Sequence, residues 1–313
     1  MKIYSLTDMY NDFLGIETGN GRMLDLTRAI SFFEIALNNV SEQPVEYIDH
    51  LMLSGMLDRD YLEEVLSSVH KYGLEEEFTL DDENEYEIGV PIYPGKIIAL
   101  GNNYRDHIRE MNQALPDEPV LFGKWPSCVI GHREPIIKPT WIGRMDYEAE
   151  LAVVIGSYAY RVSPDQAMDY VAGYTCLNDV SARDIQKKDL ARSLPWMPSK
   201  NFDTFAPLGP CLLIAEAVDD PVSIQVQSTV NGELKQNGNT SDFIFDIPTV
   251  IAYITNMMTL EPGDIITTGT PMGVGPIEPG DVVEITCEGI GTLSNPVISE
   301  EEMKSEGEEN FDE

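Results

Sequence analysis

The stretch DYEAELAVVIG, Asp146 to Gly156, sets carboxylates against the start of an apolar run. LAVVIG is a continuous series of β-formers and reads as a strand buried on both faces. Glu148 and Glu150 enter it two residues apart, and side chains at i and i+2 share one face of a strand. Adjacent like charges repel, and burying them unpaired is costly. A hard divalent cation, which takes carboxylate oxygens, removes that cost. A third acid should then come from elsewhere, and Asp179 in GYTCLNDVSARD is the best placed. YTCL reads as a strand, and Ser181-x-x-Asp184 resembles a capping box opening a helix, so Asp179 falls at a strand-to-helix turn. On spacing alone, the acids could equally line the solvent-facing entry of an edge strand.

Other groups could work with such a cluster. In NNYRDHIREM, directly after the strand-like KIIALG, His107 and Glu110 are three apart and share a helix face. A carboxylate beside an imidazole orients it and raises its basicity, which suits a general base; a surface helix with incidental charges is the alternative. Residues from about Asn103 to Ala114, followed by NQALPDEP, read as a lid. Lys124 in LFGKWPS and Lys200 in PSKNFDTFAPLGP sit among apolar and aromatic neighbours. Each could stabilise an oxyanion or enolate, or could snorkel to the surface. TTGTPMGVGP is glycine-rich but lacks the Lys-Ser/Thr of a P-loop. It is either a tight loop or a place where backbone N–H groups and Thr270 receive a substrate carboxylate. Nothing supports a serine or cysteine nucleophile, since there is no GxSxG.

The elements that must position these groups follow from pattern. The chain has 313 residues, enough for one large domain or two smaller ones. Residues 1–80 mix short strands with helical patterns at 28–40 and 58–73, the second opening on an acidic cap and ending at Gly73. They read as a small N-terminal α/β domain. Residues 81–90 read as an acidic linker, residues 91–298 as a strand-rich domain, and residues 299–313 as an acidic, disordered tail. EPGD occurs twice, at 261–264 and 278–281, each time as a turn before an apolar β run, and the two read as paired strand entries rather than a domain repeat. The expected fold class is α+β and β-rich.

The formal net charge of −34 argues against nucleic acid or an anionic membrane as partner. No run of about 18 apolar residues is present, and the N-terminus lacks the apolar core of a signal peptide. A cytoplasmic protein is the default expectation. Cys128, Cys176, Cys211 and Cys287 form no CxxC pair and read as buried thiols.

Seven stretches, in order, resemble the fumarylacetoacetate hydrolase family: GNNYRDHIREM, EPVLFGKWPS, DYEAELAVVIG, GYTCLNDVSARDIQ, SKNFDTFAPLGP, the Asn231–Gly232 turn and GDIITTGTPMGVGP. They span roughly residues 91 to 298. The resemblance implies a mixed β-roll catalytic domain, a homodimer, and Mg²⁺ or Mn²⁺ on Glu148, Glu150 and Asp179. It implies that His107 and Glu110 are a water-activating dyad and that Lys200 stabilises an enolate. Tyr104, Arg183, Gln186 and Thr270 would contact a small 2-oxo acid, and Lys124 would line the pocket. The family's fumarylacetoacetate-cleaving members carry a fourth acidic ligand where this chain has Asn103. That departure points to the acylpyruvate, oxaloacetate and 2-oxo-hexenedioate subgroup. The expected reaction is hydrolytic C–C cleavage of a 3-acylpyruvate through a metal-stabilised enolate. The alternatives are an isomerase or decarboxylase of 2-hydroxyhepta-2,4-diene-1,7-dioate or oxaloacetate type and, more remotely, a non-catalytic metal-stabilised binding protein.

Overall fold

The computed structural model describes the chain except residues 20, 39, 41–43, 81–84, 113, 219–222 and 310–313, and the side chains of 306–309. The fold is α+β and strand-rich, with open mixed sheets, as the sequence predicts. Its centre is a twelve-stranded sheet in which Ala149–Ile155 lies between Val171–Asn178 and Ile265–Thr267, antiparallel to both. Ile97–Gly101 runs parallel to Ile265–Thr267, and Val120–Lys124 closes that side. On the other side Val171–Asn178 pairs with Ala206–Ile214, which in turn pairs with the N-terminal strand Lys2–Thr7.

The apolar run is buried on both faces because each face meets a different core. Leu151, Val153 and Ile155 point into one cluster with Tyr174, Cys176 and Ile266. Ala152 and Val154 point into another with Leu177, Leu212 and Ile265. That second cluster is completed by the N-terminal segment, through Ile3, Leu14 and Ile16 from strands and Ile30, Leu62, Val65 and Val69 from helices. The N-terminal segment therefore shares both a sheet and a core with the strand-rich part. At about 1.5–3 kcal/mol for each large aliphatic side chain fully buried, this layer holds the central strand in place.

The helical pattern at 58–73 forms as Arg59–Lys71. Asp58 accepts from Tyr61 N–H at its start, and Gly73 is left-handed just past its end. The pattern at 28–40 starts earlier, as the helix Leu26–Ser31, and widens into a π-helix over Phe32–Leu37. The Asn231–Gly232 turn, both residues at positive φ, joins the hairpin Gln225–Val230 and Glu233–Asn239. Both EPGD turns close alike, Asp264 and Asp281 accepting from the N–H of Glu261 and Glu278. The strands that follow belong to different sheets.

Two expectations are corrected. Within the 81–90 linker, 81–84 lie outside the described residues, but Glu87–Ile88 is a strand paired with Lys2–Thr7. The tail expected to be disordered is helical over Glu300–Glu309. Ser299 and Glu302 form a reciprocal capping box, and Lys304 pairs with Glu300 one turn on. These local bonds replace the apolar stripe that the sequence lacks.

Gly173 marks a close approach between the paired strands Val171–Asn178 and Ala206–Ile214, beside an irregularity in their register. A Cβ there would lie 2.3 Å from the Leu213 carbonyl oxygen, backbone that cannot move aside. Gly173→Ala should therefore destabilise the fold by about 1–3 kcal/mol. Calorimetry showing an unchanged Tm would refute this account of the approach.

Candidate active site at a buried acidic cluster

Glu148, Glu150 and Asp179 converge. All three are buried, and one carboxylate oxygen from each lies within 4.8 Å of the other two. Local structure differs from the parity argument. The strand Met145–Tyr147 belongs to a separate three-stranded sheet, and Glu148 is the junction between it and Ala149–Ile155. Glu148 N–H donates to Asn178 Oδ1 at 3.0 Å, and Asp179 N–H donates to the Glu148 carbonyl at 2.9 Å. Two strand ends are thereby clamped together, each presenting an acid. The capping box expected at Ser181 is absent: Ser181 is buried in a short strand and donates to the Asp179 carbonyl. Asp184 accepts from Arg144 N–H.

Basic groups answer two of the three acids. Lys200 Nζ donates to Glu148 Oε2 at 2.7 Å and to Asp179 Oδ2, and it also lies 5.3 Å from the Phe122 ring centre. Lys124 Nζ donates to Asp179 Oδ1 at 2.7 Å and to the Lys200 carbonyl. Arg183 donates to Glu148 Oε1, to Asp146 Oδ2 at 2.8 Å and to Gln186 Oε1. Neither lysine snorkels; Lys124 is 1% and Lys200 3% exposed.

Titration follows the pairing. Burial would raise the Glu148 carboxyl, but Lys200 and then Arg183 outweigh it and hold the group well below the usual carboxylate range. Burial lowers Lys200, and the Asp179 and Glu148 charges more than offset it, so the ammonium is favoured. Glu150 makes no ion pair among the described residues; its Oε2 accepts from Gly269 N–H at 2.9 Å. Burial, then the Asp179 charge, push Glu150 well above its ordinary value. A buried carboxylate left without a cation, beside two others with oxygens close together, is the donor set of a hard divalent ion. The residues fit one, and the triad suggests a divalent metal.

A cavity of about 60 Å³ opens on the triad, and His107, Arg183, Gln186, Lys200 and Thr270 also line it. Leu100, Phe122, Leu190 and Trp196 add apolar walls. His107 Nδ1 is buried without a hydrogen bond, and Glu110 Oε2 lies 3.5 Å away. Glu110 instead accepts from Gly273 N–H at 3.2 Å, so it ties the helix Arg105–Glu110 to the glycine-rich loop. Catalytic hydrogen bonds are often long before substrate binds.

Three expected positions differ. Tyr104 is fully buried, packs edge-on against Phe243 at 4.9 Å, and is not among the cavity's lining residues. The turn into the helix aims it at the core. Lys124 lies beneath Asp179 rather than on the cavity wall. The proposed lid segment is anchored at its start: Asn103 Nδ2 donates to the Phe245 and Thr268 carbonyls, and its Oδ1 accepts from Phe245 N–H. A carboxylate could not make the two donations, so the Asn103 side chain serves as a staple rather than a ligand. Gln113, in the same segment, lies outside the described residues.

Sequence reasoning missed Asp146, which alternates with the glutamates in DYEAE and binds Arg144 and Arg183. That alternation was the available signal. Asn178 and Gln236 gave none, because single amides in strands carry no periodicity.

A model of the fumarylacetoacetate (FAA) hydrolase C-terminal domain matches residues 96–298. The chain is 49% identical over 212 residues to an uncharacterized protein of Pyrococcus abyssi, covering 68% of this chain and 94% of that one. It is 42% identical over 212 residues to the mitochondrial oxaloacetate tautomerase fahd2 of Xenopus laevis, covering 66% of each. Among solved structures, maleylpyruvate hydrolase from Sphingobium sp. SYK-6 in complex with manganese (II) ion and pyruvate superposes with a TM-score of 0.72. It is 30% identical, and the match covers 96% of this chain and 99% of that one.

The raised Glu150 pKa gives a signed prediction. The metal-free fold holds a proton that the unfolded chain releases above its ordinary value of 4.5, so this group's contribution to stability falls as pH rises from there. A cation must displace that proton, so the Tm increase on adding Mg²⁺ or Mn²⁺ should grow between about pH 5 and 8. Glu150→Gln should abolish the increase. A metal-induced shift that is flat with pH in the unmodified protein would contradict the assignment.

Proposed function

Because the chain belongs to the fumarylacetoacetate hydrolase family, we propose that it is a divalent-metal-dependent enzyme cleaving the C–C bond of a 3-acylpyruvate-type 2,4-dioxo acid. The observation that carries this reading is the convergence on one cavity of three buried acids with His107, Gln186, Lys200 and Thr270. Glu148, Glu150 and Asp179 would hold Mg²⁺ or Mn²⁺. When bound, such an ion supplies a Lewis acid for the carboxylate and keto oxygens of a 2-oxo acid.

The chain's own residues supply the rest. Lys200, kept charged by Glu148 and Asp179, offsets negative charge that develops on the keto oxygen as C3 gains enolate character. Lys124 holds Asp179 from beneath and Arg183, on the cavity wall, holds Glu148, so the acids need not reorganise during reaction. His107, turned by Glu110 as the helix closes, takes a proton from water for attack at C4. The apolar walls Leu100, Phe122 and Trp196 limit competing water. The substrate is a small molecule, and the reading includes a homodimer in the cytoplasm with no nucleic-acid or membrane partner. Among the described residues, no helix is long and apolar enough to cross a membrane.

A second reading uses the same enolate without water attack, as a tautomerase, isomerase or decarboxylase of oxaloacetate- or hexenedioate-type acids. The compactness of the cavity and the activity named for the Xenopus relative favour it.

A panel of acylpyruvates, oxaloacetate and hydroxy-dienedioates, assayed with Mg²⁺ and Mn²⁺, separates the two. On the hydrolase reading, His107→Ala cuts acylpyruvate cleavage by about 10²–10⁴-fold and affects oxaloacetate turnover much less. Lys200→Ala damages both. Equal losses in His107→Ala, with metal binding intact, would assign the histidine to substrate contact or proton transfer at C3. No metal-dependent turnover of any 2-oxo acid would overturn the enzyme reading.

A further inference from the structure

Gln236, on the hairpin strand Glu233–Asn239, is fully buried and uses its whole amide. Its Oε1 accepts from Ala149 N–H at 2.9 Å and from Ser228 Oγ at 3.1 Å. Its Nε2 donates to the Pro271 carbonyl and to Thr270 Oγ1, each at 2.8 Å. The amide cannot be turned over. Ala149 N–H can only donate and the Pro271 carbonyl can only accept, so oxygen must face the first and nitrogen the second.

This orientation fixes the Thr270 hydroxyl. Its oxygen already receives an amide N–H, so its own hydrogen must point elsewhere. Thr270 lines the cavity, where the acceptor would be the ligand's. Two glycines make the contact possible. A Cβ on Gly238 would come within 2.3 Å of Pro271 Cβ, and one on Gly273 within 2.3 Å of the Lys235 carbonyl oxygen. Only bare backbone lets the Thr270–Gly273 loop lie directly on the hairpin. Ala149 sits between Glu148 and Glu150, so one side chain sets the loop's position relative to the acid-bearing strand.

We propose that Gln236 is a positioning residue that forces Thr270 to act as a hydrogen-bond donor to the carboxylate of a bound 2-oxo acid. The effect is selection for a hydrogen-bond acceptor at that end of the ligand. Without Gln236 the Thr270 hydroxyl would turn to the freed Pro271 carbonyl and cease to donate into the cavity. The inference rests on the reading of the cavity as a 2-oxo acid site.

The test is calorimetric titration of oxalate into the Mn²⁺-loaded protein, with Mn²⁺ titration alone as a control and KM and kcat on the best panel substrate. Thr270→Val should weaken oxalate by about 10–100-fold, the worth of one hydrogen bond to a charged group. Thr270→Ser should restore most of it. Gln236→Met should lose a similar factor, raising KM more than it lowers kcat. Added to Thr270→Val, it should cost little more. Should Gln236→Met fail to fold, Gln236→Glu, nearly isosteric, replaces the amide donor with an acceptor for the hydroxyl and should also weaken oxalate, with Mn²⁺ affinity kept. Additive losses in the double variant, or losses tracking Mn²⁺ affinity, would reduce Gln236 to structural support. Unchanged oxalate binding in Thr270→Val would overturn the relay alone. A wild-type protein that binds no oxalate with either metal would remove the parent reading, and this one with it.

Discussion

Three buried carboxylates held within 4.8 Å of one another are the constraint around which this molecule is built. Unpaired, such groups could not remain charged. The fold answers the problem unequally. Glu148 and Asp179 receive lysines and an arginine, while Glu150 receives one backbone N–H and keeps its high proton affinity. The carboxylate left without a cationic partner among the described residues is Glu150. A divalent ion is the species whose charge and ligand preference match it.

Much of the remaining structure serves to keep that arrangement rigid. The central sheet is packed on both faces, and the N-terminal segment supplies the second face. Buried polar groups then connect the cluster to its surroundings. Asn178 clamps the Glu148 backbone, Asn103 staples the start of the His107 segment to residues 245 and 268, and Gln236 ties Ala149 to the Thr270 loop. Asn103 and Gln236 use donor and acceptor ends together. Exchange for the matching acid would therefore break bonds as well as add charge.

The same logic bears on the division between hydrolysis and simpler enolate chemistry. The acids and Thr270 sit on strands and strand-anchored loops, and Lys200 ends the short 3-10 helix Met197–Lys200 and is held by two of the acids. His107 and Glu110 are on a helix of six residues whose outer side touches the glycine-rich loop, and their mutual contact is not closed. The part of the site common to every enolate-forming reaction is thus the rigid part. The part that distinguishes one reaction from another lies on the less constrained element.

The acid-bearing strand, its two-sided burial, the likeness of the Asp179 turn to a ligand site and the EPGD and Asn-Gly turns were all legible in the chain. Periodicity and turn chemistry are local, and each is written within about ten residues. The cost of burying adjacent charges offered the convergence of Glu148, Glu150 and Asp179 as one reading beside a solvent-facing strand entry, and their burial in the fold decided between the two. Tertiary structure decided what depends on partners far away in sequence. It turned Tyr104 into the core and placed Lys124 under Asp179. It made Asn103 a staple and joined the N-terminal strands to the central sheet. It also decided the importance of Gln236, which sits in a strand of polar residues and becomes a hub only because two glycines let a loop from 34 residues away lie against it. A side chain's type limits which bonds it can make, but only the packed chain determines which groups are within reach.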